Sequence, residues 1–357
     1  YQLQEDVMKI IKYLITAGLA LSLVGCGNEA EVSDNNTSIE ESDTSSVETT
    51  DKEVEKDVAS DSNNTVTITD NHGEVEVPKN PKKVVALDSR NYEVLEAMGV
   101  DLIAAPKDVM PATSSYLKDE KVENIGDHRE PNLELIAAAD PDLVIVGQRF
   151  ADYYDDIKEL VTNASVIDLN TDVSEEAESP GNNLLEGLIN STTILGEIFD
   201  KEEKANELIA DLEESIEKAK NAYKGGSVMG VITSGGEIGY AAPKYGRLWG
   251  PIYEILNLEP ALEVNNVSSD HKGDDISVEA IAESKPDYLM VLDRDAGIST
   301  EESAKPAKEV LEASQALKDL DVIKNDKIYY APNDTYTNES IITYTEIFNG
   351  LAELFSK

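Results

Sequence analysis

The stretch Glu134 to Arg149 reads ELIAAADPDLVIVGQR, and Glu279 to Arg294 reads EAIAESKPDYLMVLDR. In both, a glutamate opens a short helical pattern, Glu134 to Ala137 and Glu279 to Ala282, and a Pro-Asp pair ends it, Pro141-Asp142 and Pro286-Asp287. Proline cannot continue a helix and pushes the residue before it towards extended geometry. An unbroken apolar run follows, Leu143 to Val146 and Tyr288 to Leu292. A short apolar run without polar alternation suits a strand buried on both faces of a parallel sheet. Each copy ends at an arginine, with the same spacing from the glutamate. One helix–turn–strand unit per half predicts two similar α/β lobes, each a mostly parallel sheet with flanking helices. Ligands of open α/β sheets sit beyond the carboxyl ends of the strands, where Arg149 and Arg294 both fall. Two facing lobes would bring both arginines into one cleft.

The chain outside the repeat fills in this plan. From Met8 the sequence reads MKIIKYLITAGLALSLVGCG, with Lys9 and Lys12 before an apolar stretch, Tyr13 to Val24. That stretch is short for a bilayer span, and Leu23-Val24-Gly25-Cys26 resembles a bacterial lipoprotein signal. Residues 8–25 are the expected signal peptide and Cys26 the expected lipidation site; Tyr1 to Val7 stand before that leader. Cys26 is the only cysteine, so no disulfide within the chain and no zinc ribbon or iron–sulfur site can form. Gly27 to Asn64 holds twelve acidic residues against Lys52 and Lys56 and almost no large apolar side chain. Such a tract cannot bury enough surface to offset its ordering entropy, so residues 26–64 read as a lipidated cysteine and disordered acidic tether. The remainder, about 290 residues, is long enough for two substantial cores.

A formal charge of −42 excludes nucleic acid as a partner. Salt screens charges beyond about 8 Å, so a local arginine cluster can still hold an anion. Val66 to Val77 alternates about a turn as a hairpin does. Strands are expected at Lys83–Leu87, Asp101–Ala105 and Ser165–Leu169. Ser89 is expected to cap a helix ending at Met98, with Gly99 closing it. The longest helical pattern covers residues 183–223, with a break near Asp200, and suits a rigid connector between an N-terminal lobe (65–182) and a C-terminal lobe (224–357). The second lobe opens with a strand at Val228–Thr233 and its hairpin partner at Ile238–Ala242. A helix from Trp249 to Leu256, a strand at Ile328–Tyr330 and a closing helix from Thr343 to Phe355 complete it.

Several motifs carry a family resemblance: Thr69-Asp70-Asn71-His72-Gly73, Pro81-Lys82-Lys83-Val84-Val85, Pro131-Asn132-Leu133-Glu134, Pro141-Asp142-Leu143-Val144-Ile145, Gly246-Arg247 and Pro286-Asp287-Tyr288. From about residue 65 to the C-terminus the chain resembles the iron-complex/B12-binding family of ABC-transporter substrate-binding lipoproteins. Within it the chain is most similar to the ferric catecholate (petrobactin-type) siderophore-binding subgroup. The resemblance implies a periplasmic-binding-protein fold with a helical backbone and a ferric siderophore as transported ligand, with no intrinsic cofactor. It implies an ABC permease dimer as partner and a monomer anchored by lipid at the extracytoplasmic face of a bacterial, Gram-positive cell membrane. Arg149, Arg247 and Arg294 match the subgroup's arginine triad, and arginine is the cation whose planar fork grips oxyanions and stacks on rings. Arg90 sits at an equivalent edge of the first lobe and is a weaker candidate. His271 and Tyr336 match loop positions that can ligate ferric iron directly, and both are suitable donors. Glu134 and Glu279 match the one exposed glutamate per lobe that meets the permease; taken alone, either is also an ordinary acid at a helix N-terminus.

With only His72, His128 and His271, the chain lacks the histidines that zinc or manganese receptors use. Heme or cobalamin remains an alternative cargo for the same transporter class. An enzyme would need a nucleophile elbow, Walker loop or dinucleotide fingerprint, and the glycine pairs Gly225-Gly226 and Gly235-Gly236 form none. A surface adhesin would not require arginines at two equivalent strand ends.

Overall fold

In the computed structural model, residues 64–298 and 304–357 are described. The expected signal peptide, Cys26 and all of the tether but Asn64 lie outside them.

The elements in chain order begin with the hairpin β1 (Thr65–Asp70) and β2 (Gly73–Pro78), then β3 (Val84–Leu87), α1 (Tyr92–Ala97), β4 (Ala104–Ala105), α2 (Ser115–Lys118) and β5 (Glu123–Asn124). The first copy of the repeat supplies α3 (Leu133–Ala138) and β6 (Leu143–Val146), followed by α4 (Tyr154–Leu160) and β7 (Ser165–Asp168). Two long helices, α5 (Pro180–Ile198) and α6 (Glu202–Ala222), lead to β8 (Ser227–Ser234), β9 (Glu237–Ala241), α7 (Trp249–Leu256) and β10 (Glu259–Pro260). The second copy supplies α8 (Val278–Ser284) and β11 (Tyr288–Asp293); α9 (Arg294–Ile298), α10 (Ala307–Ala313), α11 (Asp321–Lys324), β12 (Ile328–Tyr330) and α12 (Ile341–Phe355) complete the chain.

The strands form two five-stranded sheets besides the β1–β2 hairpin. The first has the order β5-β4-β3-β6-β7 and is parallel throughout. The second has the parallel order β10-β8-β11-β12, with β9 antiparallel on β8. The uninterrupted apolar runs have their explanation in the core. Val84, Ala86, Leu143 and Ile145 join one central cluster, while Val85, Leu87, Val144 and Val146 point into a second on the opposite face. In the other sheet Val228, Ile232, Met290 and Leu292 reach the same central cluster, and Met229, Val231, Leu289 and Val291 a third. Strands β3, β6, β8 and β11 are thus buried on both faces, and the two sheets share one helical layer. Leu184, Leu188, Leu195, Leu212, Ile216, Trp249, Phe348 and Leu351 furnish that layer.

The two copies open alike. Asn132 accepts a hydrogen bond from the Leu135 amide (3.0 Å), and Ser277 from that of Ala280 (3.2 Å), satisfying a free amide at the start of each helix. Their endings differ. Strand β6 stops at Val146 and the chain turns through Gly147 and Gln148 (φ 45°) into a 3-10 turn that carries Arg149. Strand β11 runs two residues further, to Asp293, and Arg294 begins α9.

Several local expectations need correction. Ser89 does not cap a helix: α1 starts at Tyr92, and the Ser89 hydroxyl donates to Gln148 Oε1. Asp88 organises that turn instead, its carboxylate accepting from the Arg90 amide (3.0 Å) and from Asn91 Nδ2 (2.8 Å). The strand expected over Asp101–Ala105 shrinks to Ala104–Ala105, because only Ala104 pairs with β3, through Val85. The long helical pattern starts earlier than expected, at Pro180, and breaks as expected at Asp200, whose φ is 51° and whose carboxylate accepts from Lys79 Nζ (2.7 Å) and Asn80. The closing helix starts at Ile341, two residues early, because Ser340 caps it through the Thr343 amide (3.1 Å).

Candidate functional site

Strand pairing determines which side chains meet. Leu87 pairs with Val146, so β3 and β6 end side by side and the following turns bring Arg90 and Arg149 to one edge. Thr233 pairs with Asp293, so Arg294 leaves β11 beside the end of β8 and donates to Ser234 Oγ at 3.1 Å. Arg247 is held by a cramped turn between β9 and α7. The Gly246 amide donates to Ala242 O at 2.9 Å, and a Cβ on Gly246 would stand 2.3 Å from Ala242 N. Below it Trp249 is fully buried and donates to Val231 O at 3.2 Å. Tyr336 occupies a 3-10 turn, Thr335–Thr337, beyond β12 and is 7% exposed.

These elements converge on one ring. The guanidinium carbons of Arg149, Arg247 and Arg294 lie 5.3, 5.1 and 5.1 Å from the centroid of Tyr336, all within cation–π range. Beside the ring lies the carboxylate of Glu339, with a side chain only 4% exposed. Its Oε2 accepts from Arg90 Nη2 at 3.3 Å and Gln148 Nε2 at 3.2 Å, and its Oε1 accepts from Arg247 Nη2. Arg247 Nη2 also approaches Tyr336 O at 3.5 Å.

A cavity of about 370 Å³ opens here. Arg90, Gln148, Arg149, Arg247, Glu339 and Tyr344 are among its lining residues, whereas Arg294 is not. Arg90 is 6% exposed, and its Nε and Nη1 are buried with no hydrogen-bond partner among the described residues; the same holds for Nε of Arg247 and of Arg294. Unpaired buried donors of this kind are costly unless something accepts from them.

The electrostatics follow from crowding like charges. Burial, and then the neighbouring Arg247 charge, pull the Arg149 guanidinium below its usual range. Burial works most strongly against the charge of Arg247, but the Glu339 carboxylate, joined by Tyr336 and Tyr344, holds the group above its usual value. Glu339 resists its own burial for the same reason: Arg247, Arg90 and Arg149 keep its carboxyl below the ordinary range. Asp88, fully buried, is pushed up to about 6 by desolvation, which the charge of Arg90 only partly opposes.

The structure therefore brings together Arg149, Arg247, Arg294 and Tyr336, and adds Arg90 in a more central place than its sequence position suggested. His271 is not drawn into this knot. Its side chain is 43% exposed, it pairs with Asp270 (Nδ1 to Oδ2, 3.6 Å), and only its neighbour Ser269 lines the cavity. Among the described residues no group of three or more His, Cys, Asp or Glu side chains could hold a metal ion. Glu134 and Glu279 are both exposed, each in the first turn of its helix. Glu339 was missed in the sequence, where it stands one residue before the helix cap Ser340 and reads as an ordinary N-terminal acid.

Comparison with known proteins bears on these features. The petrobactin-binding protein YclQ of Bacillus subtilis is 32% identical over 266 residues, spanning 73% of this chain and 77% of its own. Its crystal structure superposes with a TM-score of 0.67 at 27% identity, covering 82% of this chain and 99% of that one. The ferric-anguibactin-binding protein FatB of Vibrio anguillarum is 23% identical over 79% of this chain and 84% of its own. The periplasmic catecholate-siderophore binding protein VctP of Vibrio cholerae shares the fold at a TM-score of 0.66 and 22% identity, covering 82% of this chain and 99% of that one. Residues 84–335 match the periplasmic binding protein family, and that match, with the two sheets and their shared helical layer, makes this chain a member of it.

Proposed function

We propose that this chain is the extracytoplasmic solute-binding component of an ABC importer, and that it captures a ferric siderophore of catecholate type between its lobes. It is a carrier, not an enzyme. The observation that carries the reading is the convergence of three guanidiniums, from the segments that follow β6, β9 and β11, on a single phenol ring beside a cavity with unpaired arginine donors. A ferric catecholate offers what such a site lacks: anionic oxygens for the free N–H groups and aromatic faces for the guanidinium planes. Its iron is already coordinated by ligand oxygens, so the protein need not supply a cage. The similarity to a petrobactin-binding protein supports a siderophore as cargo. His271 and Tyr336 are held as direct iron ligands only for cargo that leaves coordination sites open.

The rest of the proposal concerns delivery. Residues 65–182 and 224–357 form the lobes, with 183–223 between them, and Cys26 carries the lipid anchor of the monomer. Glu134 and Glu279, exposed at matching places in the two copies, dock the two permease subunits. A titration of intrinsic fluorescence, in which Trp249 is the lone tryptophan, across ferric catecholates, ferric hydroxamates, heme and cobalamin tests the cargo. Saturable quenching by the ferric catecholates is expected. Quenching only by heme or cobalamin would reassign the cleft.

A further inference from the structure

We propose that Glu339 is the specificity-determining counter-charge of the cleft, which sets how much negative charge the cargo must carry. The inference rests on the reading of the cleft as an anion site and deepens it. Three observations carry it. First, Glu339 is the carboxylate on which the site's cations close: Arg90 and Arg247 on its two oxygens, with Gln148 beside them. Asp172, which also lines the cavity, and Asp88, in the turn that carries Arg90, use their oxygens differently. Asp88 accepts from the Arg90 amide and the Asn91 side chain, and Asp172 from the amide and hydroxyl of Ser174. Second, Glu339 is 3% exposed and kept ionised by three arginines, so it is a fixed charge rather than a mobile surface group. Third, Arg90 lines the cavity, is itself 6% exposed and has two buried nitrogens without a partner among the described residues, so the pair contains donors that Glu339 does not satisfy.

A buried carboxylate in this place does two things. It offsets the repulsion among guanidiniums crowded into low-dielectric surroundings, and so keeps Arg90 and Arg247 in position without cargo. It also competes with the cargo for Arg247 and repels it by one unit of charge. A highly charged anion gains more from the arginines than it loses to Glu339, whereas a weaker anion gains less. Glu339 thereby fixes the charge at which binding becomes favourable.

The test uses two tris-catecholate complexes of the same octahedral six-oxygen shape, the ferric trianion and the titanium(IV) dianion. Affinities for both are measured by calorimetry for the parent protein, Glu339→Gln, Arg90→Gln and the double variant. Glu339→Gln should raise the preference for the trianion over the dianion by roughly tenfold, the effect of one unit charge acting across about 10 Å at an effective dielectric near 20. Arg90→Gln should lower the preference by a similar factor, and the double variant should return it to the parent value. Should Glu339→Gln fail to fold, Arg90→Gln and the double variant carry the same comparison. An unchanged preference in folded Glu339→Gln, or a double variant that keeps the Arg90→Gln preference, would overturn the proposal. A parent protein that binds neither complex would overturn the cargo reading itself, and the two failures are distinguishable.

Discussion

Replacing Arg247 by alanine tests both the packing of the cleft and its purpose. The guanidinium holds Glu339 Oε1, lies 5.1 Å from the Tyr336 ring and approaches Tyr336 O at 3.5 Å. Breaking a buried pair by removing one partner costs about 3–5 kcal/mol, since a charge is left without its counter-ion. Glu339 would keep Arg90 at 3.3 Å and Gln148 at 3.2 Å, so the lower end of that range applies. For a folded part of about 290 residues that corresponds to a melting temperature lower by about 5 °C. The binding effect is separate. One charge-assisted contact to an anionic cargo contributes about 1.5–3 kcal/mol, hence a ten- to hundredfold loss of affinity. Arg247→Lys keeps the charge but loses the planar fork, and should fall between the parent and Arg247→Ala. Calorimetric titration with a ferric tris-catecholate, after circular dichroism has confirmed the fold, reads the affinity; differential scanning calorimetry reads the stability. Affinity within twofold of the parent, in a variant that melts normally, would refute the assignment of Arg247 to cargo and to the Glu339 knot alike.

Other perturbations reach the anchor, the docking glutamates and the buried Asp88. Cys26→Ala should release the protein from the membrane or leave it unprocessed, because a diacylglyceryl group supplies the two chains that stable anchoring needs; a fractionation that still finds processed protein in the membrane would reject the anchor. Glu134→Lys with Glu279→Lys should abolish siderophore uptake by cells while leaving the affinity for cargo intact, and normal uptake would remove both residues from the docking role. Asp88, raised from an ordinary 3.8 to about 6, makes the folded state hold a proton that the unfolded chain gives up. Its stabilising contribution is therefore full below pH 3.8 and lost as pH rises through 6, a change of about 3 kcal/mol. Denaturation of the parent and of Asp88→Asn across that window should show the parent losing stability relative to the variant; parallel curves would contradict it.

The fold was legible because its central strands are buried on both faces, which leaves an unalternated apolar run bounded by Pro-Asp in each copy. The repeat also placed two arginines at strand ends, although identical spacing concealed different hosts: a 3-10 turn for Arg149 and a helix start for Arg294. Elements of two residues, such as β4, β5 and β10, have no period to read and are made by pairing alone. Glu339 could not be read at all. Its sequence neighbours describe a helix N-terminus, and only the approach of the β3 and β6 turns, some 190 to 250 positions away, turns it into the partner of Arg90 and Gln148. Ser89 failed for a related reason. Asp88 took over the turn, and the Ser89 hydroxyl was drawn across to Gln148 on the neighbouring strand end.

If the arginines gather around an anionic iron complex, its metal can be located crystallographically. Crystals grown with a ferric tris-catecholate and measured at the iron absorption edge test that arrangement most directly. One anomalous peak is expected at the cavity lined by Arg149, Arg247 and Arg90, with catecholate oxygens between the metal and the guanidiniums. A peak outside that cavity, or iron held by protein side chains with no ligand oxygens around it, would contradict it.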